Sequence, residues 1–312
     1  MGEHIVEINL SPKCIIEREP RLLVDTSLFS YGTNLAFEIY RTENYKDMNF
    51  NKLFKTKVRL EENIDLLSLP KIYVIKETVD ELKTFMEIIS EKAKNLNNFE
   101  KTISLKTKHK RHFNGYEDFE KKKSLFNEIC FLNYQLVKRA KERIYKPENS
   151  ERYAYLVDAI KLLTEKSKLK KDSKIRDSRK GWEIKAYRRD YEDLQADEKF
   201  VAALFNSAFE QPLAGMSKDG DIRRIFNICY GLLASEDLLP YNQCFIGAMQ
   251  KNPITLYAYS FALTRWEAIR TDKLWTEPFV IRKVDEKENI ETGARVIGIF
   301  KKISSLEEGL TK

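Results

Sequence analysis

Three short apolar runs, each bordered by acidic or hydroxyl residues and each leading into a segment of helical period, constrain this chain more than any other feature. Arg21-Leu22-Leu23-Val24 stops at Asp25-Thr26-Ser27, and a helix is expected over Thr33 to Tyr40. Lys71-Ile72-Tyr73-Val74-Ile75 follows Pro70 and leads into Glu77-Thr78-Val79-Asp80-Glu81-Leu82. From Thr78 the period lengthens, placing Leu82, Phe85, Met86 and Ile89 on one helical face. Pro212-Leu213-Ala214-Gly215-Met216 runs into Ser217-Lys218-Asp219-Gly220-Asp221 and then a helix from Ile222 to Ala234. A further amphipathic helix, Leu194 to Phe209, precedes it. Short apolar runs closed by turn or capping residues read as buried strands. Their alternation with helices predicts an α/β fold, a parallel sheet covered on both faces.

The rest of the chain is less regular. Two helices are expected at about Tyr116 to Ile144 and Ser150 to Lys166, parted by Pro147 and followed by a charged tract. After Pro240, the segments Ile254 to Phe261, Arg265 to Arg270, Pro278 to Val284 and Arg295 to Ile303 are rich in β-branched and aromatic residues and read as strands. The expected organisation is an α/β domain over 1–237, with a helical basic insertion at about 98–192, and a β-rich C-terminal appendage over 238–312. The chain's 312 residues, 42% hydrophobic with 18 Phe and 15 Tyr, supply enough apolar mass for a packed core. Leu238 to Thr264 is broken by Pro240, Lys251 and Pro253 and is not a membrane span. The four cysteines are too scattered for a C-x-x-C metal knuckle, and no secretory signal is read, so free thiols in a reducing cytoplasm are expected.

Charge is unevenly placed. Residues 101–146 hold 13 basic and 5 acidic side chains and 161–190 hold 12 and 5, against +7 for the whole chain. A basic block therefore sits within a mildly acidic body. Lys108, Lys110, Arg111, Lys168, Lys170, Lys171, Arg176, Arg179, Lys180, Arg188 and Arg189 are interleaved with Tyr116, Phe119, Trp182, Tyr187 and Tyr191. Cations beside rings suit a polyanion carrying bases to stack. A pair of solvated helical faces with a lysine-rich loop is the plainer account.

Asp25 and Asp219 follow strands, while Glu81 and Asp197 fall near helix starts. In a parallel sheet these places share one edge. Four carboxylates meeting there would resist joint ionisation unless a divalent cation offset the repulsion. Oxygen-only donors favour Mg²⁺ or Mn²⁺, one or two ions, and such sites support phosphodiester hydrolysis. Singly, each acid has a duller role as cap, turn or solvated residue.

Leu22-Leu23-Val24-Asp25-Thr26-Ser27, then Val79-Asp80-Glu81-Leu82, then Ala196-Asp197, then Ser217-Lys218-Asp219-Gly220-Asp221 resemble, in order and type, the four motifs of the PIN domain nucleases. The resemblance implies a three-layer α/β/α fold and Mg²⁺- or Mn²⁺-dependent cleavage of single-stranded RNA. Carried over, Asp25, Glu81, Asp197 and Asp219 are the catalytic, metal-binding acids, with Asp221 as a further ligand; Thr26, Ser27 and Ser217 assist. Glu77 competes with Glu81 for the second position. Two other readings stand beside this one: a non-catalytic RNA- or DNA-binding module using the basic insertion, and a structure-specific DNA nuclease. A homo-oligomer and an inhibitory protein partner stay open. Neither G-x-x-x-x-G-K-[ST] nor G-x-G-x-x-G occurs, which disfavours nucleotide-binding enzymes of those types.

Overall fold

The computed structural model describes residues 5–29, 49–106, 116–168, 196–233, 243–271, 298–299 and 301–306. In chain order the elements are β1 (Ile5–Leu10), α1 (Pro12–Arg18), β2 (Leu22–Val24), a 3-10 turn (Thr26–Phe29), α2 (Phe50–Ser68), β3 (Ile72–Tyr73), α3 (Lys76–Lys106) and α4 (Tyr116–Glu142). There follow α5 (Ser150–Lys168), α6 (Ala196–Ser207), β4 (Ala214–Ser217), α7 (Gly220–Leu233), α8 (Gln243–Lys251), β5 (Thr255–Ser260) and β6 (Arg265–Arg270). The chain divides into two compact units, Met1–Asp25 with Tyr145–Lys312, and Thr26–Ile144.

The first unit is an α/β body whose five strands lie in the order β1-β6-β5-β4-β2. Strands β2, β4 and β5 run parallel, in register from Leu22 opposite Ala214 to Ser217 opposite Ala258. Strand β6 returns antiparallel to β5, with Thr255 opposite Arg270, and β1 adds antiparallel to β6. Leu22, Leu23 and Val24 are fully buried, as expected of a strand with neighbours on both faces. Helix α6 is buried from Phe200 to Ser207, and Phe205 stacks on Phe226 of α7 at 5.3 Å between ring centroids. The close approach of α6 to the sheet requires Gly215, because a Cβ there would stand 2.6 Å from Leu204 Cδ1 and 3.1 Å from Leu256 Cδ1. Leu256 thus faces α6. Its neighbour Tyr257 points to the other face and donates its hydroxyl to Glu19 just after α1.

A buried polar network ties α5 to the end of α6. Arg152 donates to Asn206 Oδ1 at 2.8 Å and pairs with Glu210 at 2.9 Å, and its guanidinium lies 4.5 Å from the centroid of Phe209. Glu210 also accepts from Tyr145, Asn206 and the backbone N–H groups of Glu148 and Asn149. So many donors on one carboxylate offset the cost of burying it. Asn252 extends the packing by donating to the Ala208 carbonyl.

In the second unit, α4 packs against α2 and α3. Leu53, Thr56, Leu60 and Leu67 form the buried stripe of α2. Arg143 donates to the carbonyls of Leu67 and Ser68, satisfying the C-terminus of α2, and Val74 forms a parallel bridge with Ile144. Half-buried Lys57 and exposed Glu128 join α2 to α4 at 2.7 Å.

Several expectations need correction. The sheet is mixed rather than wholly parallel, because the β5–β6 hairpin reverses direction. Residues 255–270 are not an appendage: β5 is hydrogen-bonded to β4 and supplies the middle strand. The helices of the expected basic insertion do not form a unit of their own, since α4 belongs to the second unit and α5 packs on α6 in the first. Within the segment read as a strand from Arg295 to Ile303, residues 298–299 and 301–303 are helical, the latter running on to 306, with Ile303 fully buried. The expected helix over Thr33 to Tyr40 and strand over Pro278 to Val284 lie outside the described residues. Among the described residues, no helix is long and apolar enough to cross a membrane.

Candidate metal centre

Strand geometry creates the site. Strands β2 and β4 are parallel neighbours, so the residues that follow them emerge at the same sheet edge. Asp25 is the first residue past β2, and its backbone N–H donates to the Met216 carbonyl at 3.1 Å. Ser217, the last residue of β4, is fully buried and donates Oγ to Asp25 Oδ2 at 3.0 Å, joining positions 192 apart in sequence. The same Oγ accepts from the Asp219 N–H at 2.8 Å. Asp219 in turn accepts from the Asp221 N–H through Oδ1 at 2.7 Å, fixing the entry to α7 as an aspartate cap does.

Asp197, in the first turn of α6, joins Asp219 and Asp221 to form a cluster in which one carboxylate oxygen from each lies within 4.8 Å of the others. Their mutual repulsion is offset in part. The amino ends of α6 and α7 carry partial positive charge toward acids in their first turns. Arg224 approaches Asp221 at 3.5 Å in a half-buried pair. A partly solvated i,i+3 pair at this distance contributes about 1 kcal/mol at most. Three convergent carboxylates form a hard, oxygen-only donor set, and this fits Mg²⁺ or Mn²⁺ better than zinc. The residues present therefore fit a divalent ion.

Three of the sequence-predicted acids are brought together and Asp221 proves to be a member of the trio. Asp25, 6% exposed, is linked to the trio through Ser217, by one hydrogen bond on each side of that hydroxyl. Glu81, on α3, belongs to the other compact unit, as do Thr26, Ser27 and the more deeply buried Glu77. Lys168 is the last residue of α5. Lys108, Lys110, Arg111, Lys170, Lys171, Arg176, Arg179, Lys180, Arg188 and Arg189 lie outside the described residues.

Sequence reasoning missed the charges around the cluster. Arg224 was legible as the i+3 partner of Asp221. The buried Glu267, which pairs with Arg223 at 2.9 Å and with Arg265 at 3.1 Å, was not, because it depends on β6 lying inside the sheet. Burial, and after it the charge of Glu198, pushes the Cys229 thiol up, so it stays protonated and unsuited to nucleophilic work. No family model, curated protein or solved structure matches this chain.

Proposed function

We propose that this chain is a metal-dependent endonuclease of the PIN-like type that hydrolyses single-stranded RNA. The observation carrying this reading is the convergence of Asp197, Asp219 and Asp221, with Asp25 anchored behind them through Ser217, at the edge where parallel α/β sheets place their sites. Asp197, Asp219 and Asp221 would hold the ion; when bound, it supplies positive charge and Lewis acidity at the scissile phosphate. Ser217 fixes the carboxylate of Asp25 and the backbone of Asp219 together, so the two motifs keep one geometry as substrate arrives. The Asp219 cap orients the first turn of α7 and with it Asp221. The basic tract would draw the polyanion toward an edge that its own carboxylates repel.

The test is incubation of the full chain with labelled single-stranded RNA and Mn²⁺, beside Asp197→Asn. Cleavage by the wild type and its loss in the variant, with RNA binding retained, is the expected result. Binding without cleavage in Mg²⁺ or Mn²⁺ would overturn it in favour of a non-catalytic nucleic-acid-binding module. That second reading draws on the ordinary employment already visible for two of the acids, the Asp219 cap and the Asp221–Arg224 pair. Cleavage of branched DNA alone would instead favour a structure-specific DNA nuclease.

A further inference from the structure

Buried Glu267 is met by more positive charge than it can neutralise. Its Oε2 accepts from Nη1 of Arg223 at 2.9 Å and its Oε1 from Nε of Arg265 at 3.1 Å, while the carboxylate itself is 1% exposed. A guanidinium stays charged at any physiological pH, so the three side chains sum to one net positive charge. One arginine would offset the buried carboxylate, and the second is surplus to the fold. Among the described residues, Arg265 is held through Nε alone, which leaves its two terminal amino groups, the fork that grips phosphate, with no protein acceptor there. Its side chain is 29% exposed.

Register puts this cation on the sheet face, and at the sheet edge, where the aspartates gather. Ser217, which anchors Asp25 and Asp219, is opposite Ala258, and Ala258 is opposite Glu267, so all three share a face. Arg265 precedes Glu267 by two residues and keeps that face. Because β6 runs against β5, its first residue lies toward the carboxyl ends of β4 and β5, from which Asp219 emerges. Ser260 stands opposite Arg265 and brings a hydroxyl to the same place. Two strand spacings of about 4.8 Å across and two residues of about 3.3 Å along set the Arg265 backbone roughly 12 Å from that of Ser217, a span of a few nucleotides. Helix α7 joins the two groups: the Arg223 N–H donates to the Asp219 carbonyl at 3.5 Å, and the Arg223 side chain reaches Glu267.

We infer that Arg265, oriented by Glu267, binds a backbone phosphate of a single-stranded nucleic acid whose chain crosses the aspartate edge. The three aspartates repel that backbone, and a fixed guanidinium on the same face offers it a bidentate hold a few nucleotides away. Glu267 is the positioning residue, and Arg223 keeps its charge compensated from the helix side. This inference rests on the proposed nuclease reading for its ligand, but it concerns binding and is measured without turnover.

The experiment is fluorescence anisotropy of the full chain in EDTA with a labelled single-stranded RNA, over a range of salt concentrations. Arg265→Gln, in which Glu267 keeps Arg223, should lower the slope of log affinity against log salt by about 0.7, the contribution of one phosphate contact on a single strand. A fourfold rise in salt then costs the variant about 2.6-fold less affinity than it costs the wild type. Arg265→Lys keeps the charge and should keep the slope, and the loss in Arg265→Gln should be the same on a strand of different sequence. On the wild type, phenylglyoxal labelling of Arg265, read by peptide mass spectrometry, should slow when the RNA is bound; this measurement needs no variant to fold. Equal slopes for wild type and Arg265→Gln, or labelling that RNA leaves unchanged, would overturn the assignment. If Mn²⁺-dependent cleavage survives in that case, the nuclease reading stands without it. An Arg265-dependent slope with no cleavage upholds the phosphate contact and removes the hydrolytic reading, while a wild type that binds no strand removes both.

Discussion

Replacing Ser217 by alanine deletes an oxygen atom at a fully buried position, and with it the hydrogen bonds to Asp25 and from the Asp219 N–H. The bond to Asp25 goes to a carboxylate, and hydrogen bonds to charged groups contribute about 1.5–3 kcal/mol. The bond from the Asp219 N–H adds about 1 kcal/mol, less whatever water recovers at that half-exposed amide. The variant should be destabilised by about 3 kcal/mol. For the unit formed by Met1–Asp25 and Tyr145–Lys312 this corresponds to a fall of about 6–12 °C in Tm. Scanning calorimetry with and without Mn²⁺ reads both consequences. Wild type at a Mn²⁺ concentration 100 times its Kd should gain about 2.7 kcal/mol, and Ser217→Ala should gain less, because Asp219 has lost the anchor that sets it against Asp197. A variant melting within about 2 °C of wild type, with an undiminished response to Mn²⁺, would refute the claim that Ser217 organises the cluster.

Other parts of the structure make equally definite predictions. Gly215→Ala forces a Cβ against Leu204 and Leu256 and should cost about 1–3 kcal/mol in urea unfolding; a neutral outcome would mean that α6 does not press on β4 there. Arg152→Met leaves Glu210 buried without its cation and should cost about 3–5 kcal/mol, with partial recovery in the double variant carrying Glu210→Gln. Burial pushes the Cys130 thiol up to about 11 from an ordinary value near 9. The folded chain keeps this proton while the unfolded chain releases it, so the associated stability is complete below about pH 9 and fades as pH rises toward 11. Urea midpoints measured across that window should fall less steeply for Cys130→Ala, and parallel slopes would dismiss the effect.

The strands that carry the site were legible because each is a short apolar run closed by polar residues, and burial of Leu22, Leu23 and Val24 accounts for that pattern. Residues Arg265 to Arg270 were legible from their β-branched and aromatic content, but their place in the sheet was not. Strand order depends on pairings between Ser217 and Ala258, and between Ile8 and Glu267, that no local window contains. The same limit hid the Asp25–Ser217 bond and allowed Glu81 to be grouped with acids of a different compact unit. Helix α2 carries a helical period in its buried Leu53, Thr56, Leu60 and Leu67, but no apolar strand run directly precedes it to mark it as part of a strand–helix unit. Near Ile303 the β-branched content argued for a strand, and burial of that side chain within a helical turn overrode it.

The position of β5 and β6 also sets a schedule for synthesis. Among the described residues, strand β1 finds its hydrogen-bonding partner in β6, and β4 is flanked on the side away from β2 by β5. On the ribosome, then, Ile5–Leu10 must wait for Arg265–Arg270 to emerge before their ladder can close. Until then β4 offers a bare edge to any passing strand. Synthesis cut short before Thr255 would leave β4 without that neighbour, and so yield an aggregating chain rather than a smaller folded one.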